Sequence, residues 1–378
     1  MRRLAMLAGA RPNFMKVAPL MAALAGDDDF ETILIHTGQH YDDSMSGSFF
    51  RDLQIPEPKH HLQVGSGSHA QQTAEIMRRL EPVLIDESPA GLVVVGDVNS
   101  TVAGALVASK LDIPVIHAEA GLRSFDRSMP EEINRIVTDA ISDLLLVTEE
   151  SGRANLLREG KEEKQIAFVG NLMVDSLRRH LAQALESDVR QRLEIRAARY
   201  GLITLHRPAN VDDEGKLGEI VGALRVISKE LPLYWPVHPR TKERLRRAEV
   251  SLEPGIRLLD PLSYFDFLHM QANSEAIFTD SGGIQEESTV LGVKCLTLRE
   301  NTERPATIEY GTNYLAGTTK GSILKTWSEV HGQSLGARDG RPVSVPPLWD
   351  GRAGERCLTA IRQFYADGAA GRSPKLHA

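Results

Sequence analysis

The chain has little cysteine: Cys295 and Cys357 are the only two in 378 residues. Two thiols support neither a disulfide framework nor a metal cage, and their scarcity points to a reducing compartment, the cytoplasm. No apolar run reaches the roughly 18 residues that a membrane span requires. The opening MRRLAMLAGARPNF holds an apolar stretch too short for a secretion signal. Histidines are dispersed without HxH or HExxH spacing, so no metal is indicated. The turn after the first predicted strand lacks a GxGxxG pattern, which removes support for a dinucleotide, and no other cofactor is called for. No repeat of about 20–50 residues is present, and the polar tail after Gly368 reads as disordered. Positive charge is also short. A net charge of −7 argues against nucleic acid and acidic membranes as partners, so an anionic ligand must meet a local cluster of cations.

What is present is enough apolar residue, 42% of the chain, to fill the cores of roughly two α/β domains. The stretch TDSGGIQEES, Thr279 to Ser288, organises the second half. It follows the apolar run Ala276–Phe278 and precedes a helix-compatible segment and another strand. Such a turn lies at the carboxyl end of a parallel strand, where the next helix aims its unpaired N–H groups at an anion. Gly282 and Gly283 let a phosphate approach the backbone, Ser281 can donate a hydroxyl, and Glu286 or Glu287 could accept from ribose hydroxyls. The plainer alternative is a helix start with acids complementing its dipole.

In the first half, Leu4–Ala8 reads as a buried strand, followed by a Gly9-Ala10 turn and a helix with Pro12 in its first turn. Arg11 and Lys16 could both reach an anion from that helix start, or be solvated surface cations. The loop GQHYDDSMSGSFF follows the strand Glu31–Thr37. Asp97 follows the apolar run Leu92–Val95 and a glycine, at the edge where open parallel sheets hold their ligands. Glu119 stands at the end of the strand Pro114–Ala118, and Pro130 opens a helix with Glu131 and Glu132 in its first turn. Asp97, Glu119 and Glu132 would then converge on one edge with Arg123 and Arg127 among them. Crowded carboxylates raise one another's pKa, which suits one to keep a proton while another accepts one; a salt-bridged structural network is the alternative. Gly170 and Asn171 mark the crossover to the second domain.

A long amphipathic stretch, Met173–Arg199, leads to the strand Leu202–Leu205, which ends in His206. The pattern recurs at Leu233–Val237 with His238. In SYFDFLHMQAN, an aromatic near the strand end could stack on a base. RENTERP adds Arg299 and Arg304, and a helix from about Leu358 could cross back to the first domain.

Taken together, GARPNFMKVAPL, GDVNST, EAGLRSFDRSMPEEINR, LHRPANVD, PVHPR, TDSGGIQEES and RENTERP resemble the non-hydrolysing UDP-N-acetylglucosamine 2-epimerase family. That resemblance implies an α/β fold of two Rossmann-like domains facing across a cleft, residues 1–169 and 170–357, with helix 358–378 joining the first. It implies a homodimer acting on a UDP-sugar. Arg11, Ser281, Gly282, Gly283, Glu287 and Arg304 would hold UDP, with Phe267 near the uracil. Asp97, Glu119, Glu132 and His206 would do the chemistry, with Lys16 and His238 in the same cleft. The implied route eliminates UDP to leave a 2-acetamidoglucal, then returns it with protonation from the opposite face. Three positions depart from the family's pattern: Ala10 and Asn13 replace a threonine and a glutamate, and Ala209 replaces the glutamate of HRxEN. The QHYDDSMSGSFF loop does not resemble the glutamine-rich version that carries a regulatory site, so weak or absent substrate activation is expected. A hydrolysing relative, a glycosyltransferase of the same fold and a silent nucleotide-sugar sensor are the competing readings.

Overall fold

A computed structural model describes residues 1–38, 55–237, 239–247, 252, 255–333, 337–338, 341–342 and 344–368. Most of the loop after Thr37 and the tail after Gly368 therefore lie outside the described residues. The chain divides into two compact units, Met1–Ser176 with Pro347–Ala378, and Leu177–Pro346. The division falls after Ser176, seven residues beyond the expected boundary, because the strand run ends in a short glycine turn and helix α6 (Leu172–Leu185) begins before it.

The first unit is wound on one parallel sheet. Its strands are β1 (Arg2–Ala8), β2 (Phe30–His36), β3 (His60–His61), β4 (Gly91–Val95), β5 (Val115–Ala120), β6 (Leu144–Val147) and β7 (Ile166–Phe168), ordered 3-2-1-4-5-6-7. Chain order reverses between β1 and β4. That is the switch point where open parallel sheets leave a crevice at their carboxyl ends. The strands read as continuous apolar runs because helices cover both faces. Helix α1 (Arg11–Ala25) follows β1, α2 (His69–Glu87) leads into β4, α3 (Asn99–Lys110) links β4 to β5, α4 (Pro130–Ile141) links β5 to β6, and α5 (Glu150–Arg158) follows β6.

The second unit repeats the winding with β8 (Gly201–Thr204), β9 (Leu233–Pro236), β10 (Ile256–Leu259), β11 (Ala276–Thr279), β12 (Lys294–Thr297) and β13 (Asn313–Leu315), ordered 10-9-8-11-12-13. Its switch point lies between β8 and β11. Alternation along each strand is visible in the packing. Ile203 and Phe278 enter the cluster with Trp235, Leu224 and Ile323, while their neighbours Leu202 and Ile277 enter the one with Tyr200 and Tyr234. The stretch 173–199 is not one helix. It breaks after Leu185, where the Ser187 hydroxyl donates to Asp266 at 2.6 Å and accepts from the Val189 amide at 3.2 Å, and a short α7 (Val189–Arg192) follows. A serine bonding locally competes with helix continuation. The remaining helices are α8 (Pro208–Val211), α9 (Glu214–Ile227), α10 (Pro239–Arg247), α11 (Tyr264–Ala272), α12 (Gly282–Leu291), α13 (Pro305–Glu309) and α14 (Lys320–Val330).

The last helix, α15 (Ala353–Ala366), starts earlier than Leu358 and belongs to the first unit. Its first turn is fixed by a side chain rather than by apolar periodicity. The Asp175 carboxylate accepts from the Ala353 and Gly354 amides at 3.0 and 2.8 Å, at the positive end of the helix dipole.

Candidate functional site

The first unit's switch point is built on close backbone approaches. A Cβ on Gly9 would lie 2.1 Å from the Ser100 hydroxyl, so only glycine lets β1 turn there. Asn13 closes the turn. Its Oδ1 accepts from the Gly9 and Ala10 amides at 3.1 and 3.0 Å, and its Nδ2 donates to the Val95 carbonyl at the end of β4. Asn13 thus performs turn closure and ties the two switch-point strands together.

Around that turn the charged side chains pair acid to base. Lys16 and Glu119 form a buried salt bridge. Glu119 is the extra residue of a bulge, since Ala118 faces Leu146 and Ala120 faces Val147. Its φ is +71°, a left-handed conformation that costs a non-glycine residue about 1–3 kcal/mol and persists only where surroundings enforce it. Asp97, 29% exposed, is bonded by Arg135. Arg135 also donates from Nε and Nη2 to Glu132 at 3.0 and 2.7 Å.

Glu132, 1% exposed, accepts further bonds from the Ser124 amide, the Ser124 hydroxyl and the Phe125 amide at 2.9, 3.0 and 2.9 Å. Burial alone would raise its pKa; the Ser124 amide and Arg135 outweigh that and hold it below the ordinary carboxylate value. The expectation that crowded carboxylates raise one another is therefore overturned at Glu132. The cation among the acids is also not one of those expected. Arg123 is buried against Asp139 and Glu159, and Arg127 is exposed. Arg135 serves instead, three residues after Glu132 and so on the same helix face.

The second unit's switch point gathers arginines around buried acids. Asp280, fully buried after β11, accepts from the His206 and Arg207 amides and from the His206 ring at 2.9 Å. Burial would raise its pKa, but the His206 ring and those amides hold it below the ordinary value. The His206 side chain is 61% exposed. A buried carboxylate on Nδ1 fixes the ring's orientation and turns Nε2 to the exposed side. Asp280 went unnoticed by sequence reasoning, although it ends an apolar strand just as Asp97 does.

Beside this pair, Glu303 gathers guanidinium groups. Arg304 Nη1 lies 2.5 Å from it, Arg299 2.7 Å and Arg207 3.4 Å, while Arg304 Nε lies 2.8 Å from Glu286. Burial opposes ionisation of Glu303; Arg304, Arg299 and Arg207 more than offset it and hold the carboxylate far below its usual range. Helix α12 starts against this cluster. A Cβ on Gly282 would lie 2.3 Å from Arg304 Nη1, and the Ser281 side chain makes no capping bond to the helix. Glu286 is thus committed to Arg304 rather than standing open for a ribose. Glu287 is buried beneath Tyr264, whose hydroxyl donates to it at 3.3 Å; burial, with Glu286 nearby, pushes its pKa up to about 7. Phe267 packs partly buried against the cluster of Tyr200 and Met270.

The structure brings Lys16 together with Glu119, Asp97 with Glu132 through Arg135, His206 with Asp280, and Arg304 with Gly282. Gly283 lies in the first turn of α12. His238 lies outside the described residues, as does the side chain of Arg11, whose backbone opens α1. Among the described residues, no group of three or more His, Cys, Asp or Glu is placed to hold a metal ion, and no helix is long and apolar enough to cross a membrane.

Two parallel, doubly wound sheets, one edged with paired carboxylates and the other with guanidiniums around a glycine helix start, define an α/β protein suited to a phosphorylated ligand. Comparison with known proteins narrows this. A family model described as UDP-N-acetylglucosamine 2-epimerase matches residues 22–362. The chain is 42% identical over 373 residues to the UDP-N-acetylglucosamine 2-epimerase of Methanocaldococcus jannaschii, covering 95% of this chain and 98% of that one. It is 39% identical over 332 residues to a UDP-2,3-diacetamido-2,3-dideoxy-D-glucuronate 2-epimerase of Pseudomonas aeruginosa, covering 86% and 92%. A crystal structure of the M. jannaschii enzyme in complex with UDP-GlcNAc and UDP matches with a TM-score of 0.88 over 96% of this chain and 99% of that one, at 41% identity. The chain belongs to the UDP-N-acetylglucosamine 2-epimerase family.

Proposed function

We propose that this chain interconverts UDP-N-acetylglucosamine and UDP-N-acetylmannosamine without net hydrolysis. The observation that carries the reading is the division of charge between the two switch points. C2 of the sugar has no adjacent carbonyl, so its proton is only weakly acidic, and its removal must be coupled to loss of UDP. Electrons from the C2–H bond form the C1–C2 double bond as the C1–O bond breaks and its pair leaves on the β-phosphate oxygen. The product is a 2-acetamidoglucal and UDP. Return of that oxygen to C1, with a proton delivered to the other face of C2, completes inversion.

In this scheme Arg304, with Ser281, Gly282 and Gly283 at the start of α12, takes the diphosphate, as does Arg11. Such donors act where charge develops on the leaving group. Glu287 and Phe267 serve the nucleoside, and His206, oriented by Asp280, assists departure of UDP; a part for His238 rests on the family resemblance alone. Asp97 and Glu119 carry the C2 proton, each poised by its cation, Arg135 or Lys16. Glu132 shares in that chemistry by setting Arg135 against Asp97.

Product NMR tests the proposal. UDP-linked epimers with no free sugar are expected; free N-acetylmannosamine would assign hydrolysis instead. The same assay with a 2,3-diacetamido sugar nucleotide fixes the C3 substituent, as the P. aeruginosa relative's name suggests doing. A cytoplasmic homodimer is proposed on the family resemblance and is checked by sedimentation and fractionation. The rate curve for UDP-N-acetylglucosamine is expected to be hyperbolic, and a sigmoidal one would contradict the reading of residues 39–50.

A further inference from the structure

We infer that His117 and Asp139 form a clamp that positions both proton-carrying carboxylates, a role that rests on the epimerase reading above. His117 is fully buried on β5, two residues before Glu119. Its Nδ1 lies 2.6 Å from Asp139 Oδ1 and its Nε2 2.9 Å from the carbonyl of Gly96. With a carboxylate on one ring nitrogen and a backbone carbonyl on the other, the imidazole bridges the two. Asp139 Oδ2 accepts from the amide of Gly121 at 3.0 Å and pairs with Arg123 Nη2 at 2.7 Å.

One carboxylate therefore holds the chain two residues before and two residues after Glu119. Through the imidazole it also holds the residue next to Asp97. The three backbone positions concerned are all left-handed: Gly96 at +69°, Glu119 at +71° and Gly121 at +82°. Only Glu119 has a side chain that strains there, and a strained backbone at a reacting group requires surroundings that over-determine it. A purely apolar core would pack β5 equally well but would leave the Gly96 carbonyl and the bulge without these bonds. Burial opposes ionisation of Asp139, yet His117 and Arg123 hold its pKa below the ordinary value, so it is charged throughout the neutral range. Asp139 and His117 touch no reacting atom; they act through Asp97 and Glu119.

The test compares His117→Phe and His117→Gln with the wild type, counting sites by UDP titration. Gln can still donate to Gly96, and Phe cannot. The Phe variant should lose at least about tenfold in kcat per UDP-binding site, the Gln variant less, with KM and the UDP Kd within about twofold. Amide exchange of the peptide 91–101 should quicken in the same order, since the Gly96 amide is bonded to Ala118 at 3.0 Å. A Phe variant with wild-type kcat per site, or unchanged exchange across 91–101, would overturn the clamp. A Phe variant that fails to fold leaves the Gln variant to decide by the same two readouts. If the wild type itself gave no epimer, the epimerase reading would fall, while amide exchange would still decide whether the clamp holds the turn.

Discussion

The two units share one winding and put their chemistry at the same topological place, yet they spend their charges differently. In the first, Lys16 pairs with Glu119, and Arg135 pairs with Asp97 and Glu132, which holds the three acids in orientation. In the second, three arginines converge on Glu303 at the start of α12, with Glu286 beside Arg304. In the proposed scheme, carboxylates held by cations suit a proton that must be taken and returned. Guanidinium groups beside helix N–H groups suit a leaving diphosphate. In that scheme the same fold supports two tasks by changing which side chains end its strands.

The comparison breaks most sharply at the proposed proton carriers. Asp97→Asn or Glu119→Gln should lower kcat by about 10³-fold, within the range for a lost general acid or base, while UDP binding stays near wild type. A variant that lost UDP affinity in parallel would show that the units do not divide the work. Next in size is Gly282→Ala, whose new methyl displaces Arg304; UDP affinity should fall at least about tenfold, with the thermal stability of the ligand-free protein changed far less. Calorimetric titration reads it, and unchanged affinity would remove Arg304 from the diphosphate.

Glu132→Gln should act mainly on stability. Its amide cannot accept all the bonds that Ser124, Phe125 and Arg135 now make, and breaking such a buried network costs about 3–5 kcal/mol. Thermal melts should fall by roughly 10 °C. The smallest effect belongs to Glu287. Folded, it keeps its proton to about pH 7, against an ordinary value of 4.5. Stability should therefore fall as pH rises through that window and level off above it. Glu287→Gln should flatten the slope, and denaturant titrations at a series of pH values between 4.5 and 7.5 measure the difference.

Much of this was legible in the chain itself. Apolar runs ending in Gly96-Asp97, Glu119, His206 and Thr279 marked the carboxyl edges, because a strand buried on both faces has to be apolar and its first polar residue falls at the rim. The partners of those residues were less visible. Arg135 and Asp139 lie further along the helix that Pro130 opens, and only the packing of α4 on β5 turns them inward. Asp280 gave the same signal as Asp97 but was absorbed into the glycine turn. The three-residue strand β13 and the first turn of α15 carry too few apolar positions for periodicity to register; pairing with β12 and capping by Asp175 define them.

The most direct test of the central claim is to incubate the protein with UDP-N-acetylglucosamine in heavy water and observe the hydrogen at C2. Deuterium there in both UDP-linked epimers, lost in Asp97→Asn while UDP still binds, is the predicted result. Epimerisation with the original hydrogen retained at C2 would contradict it.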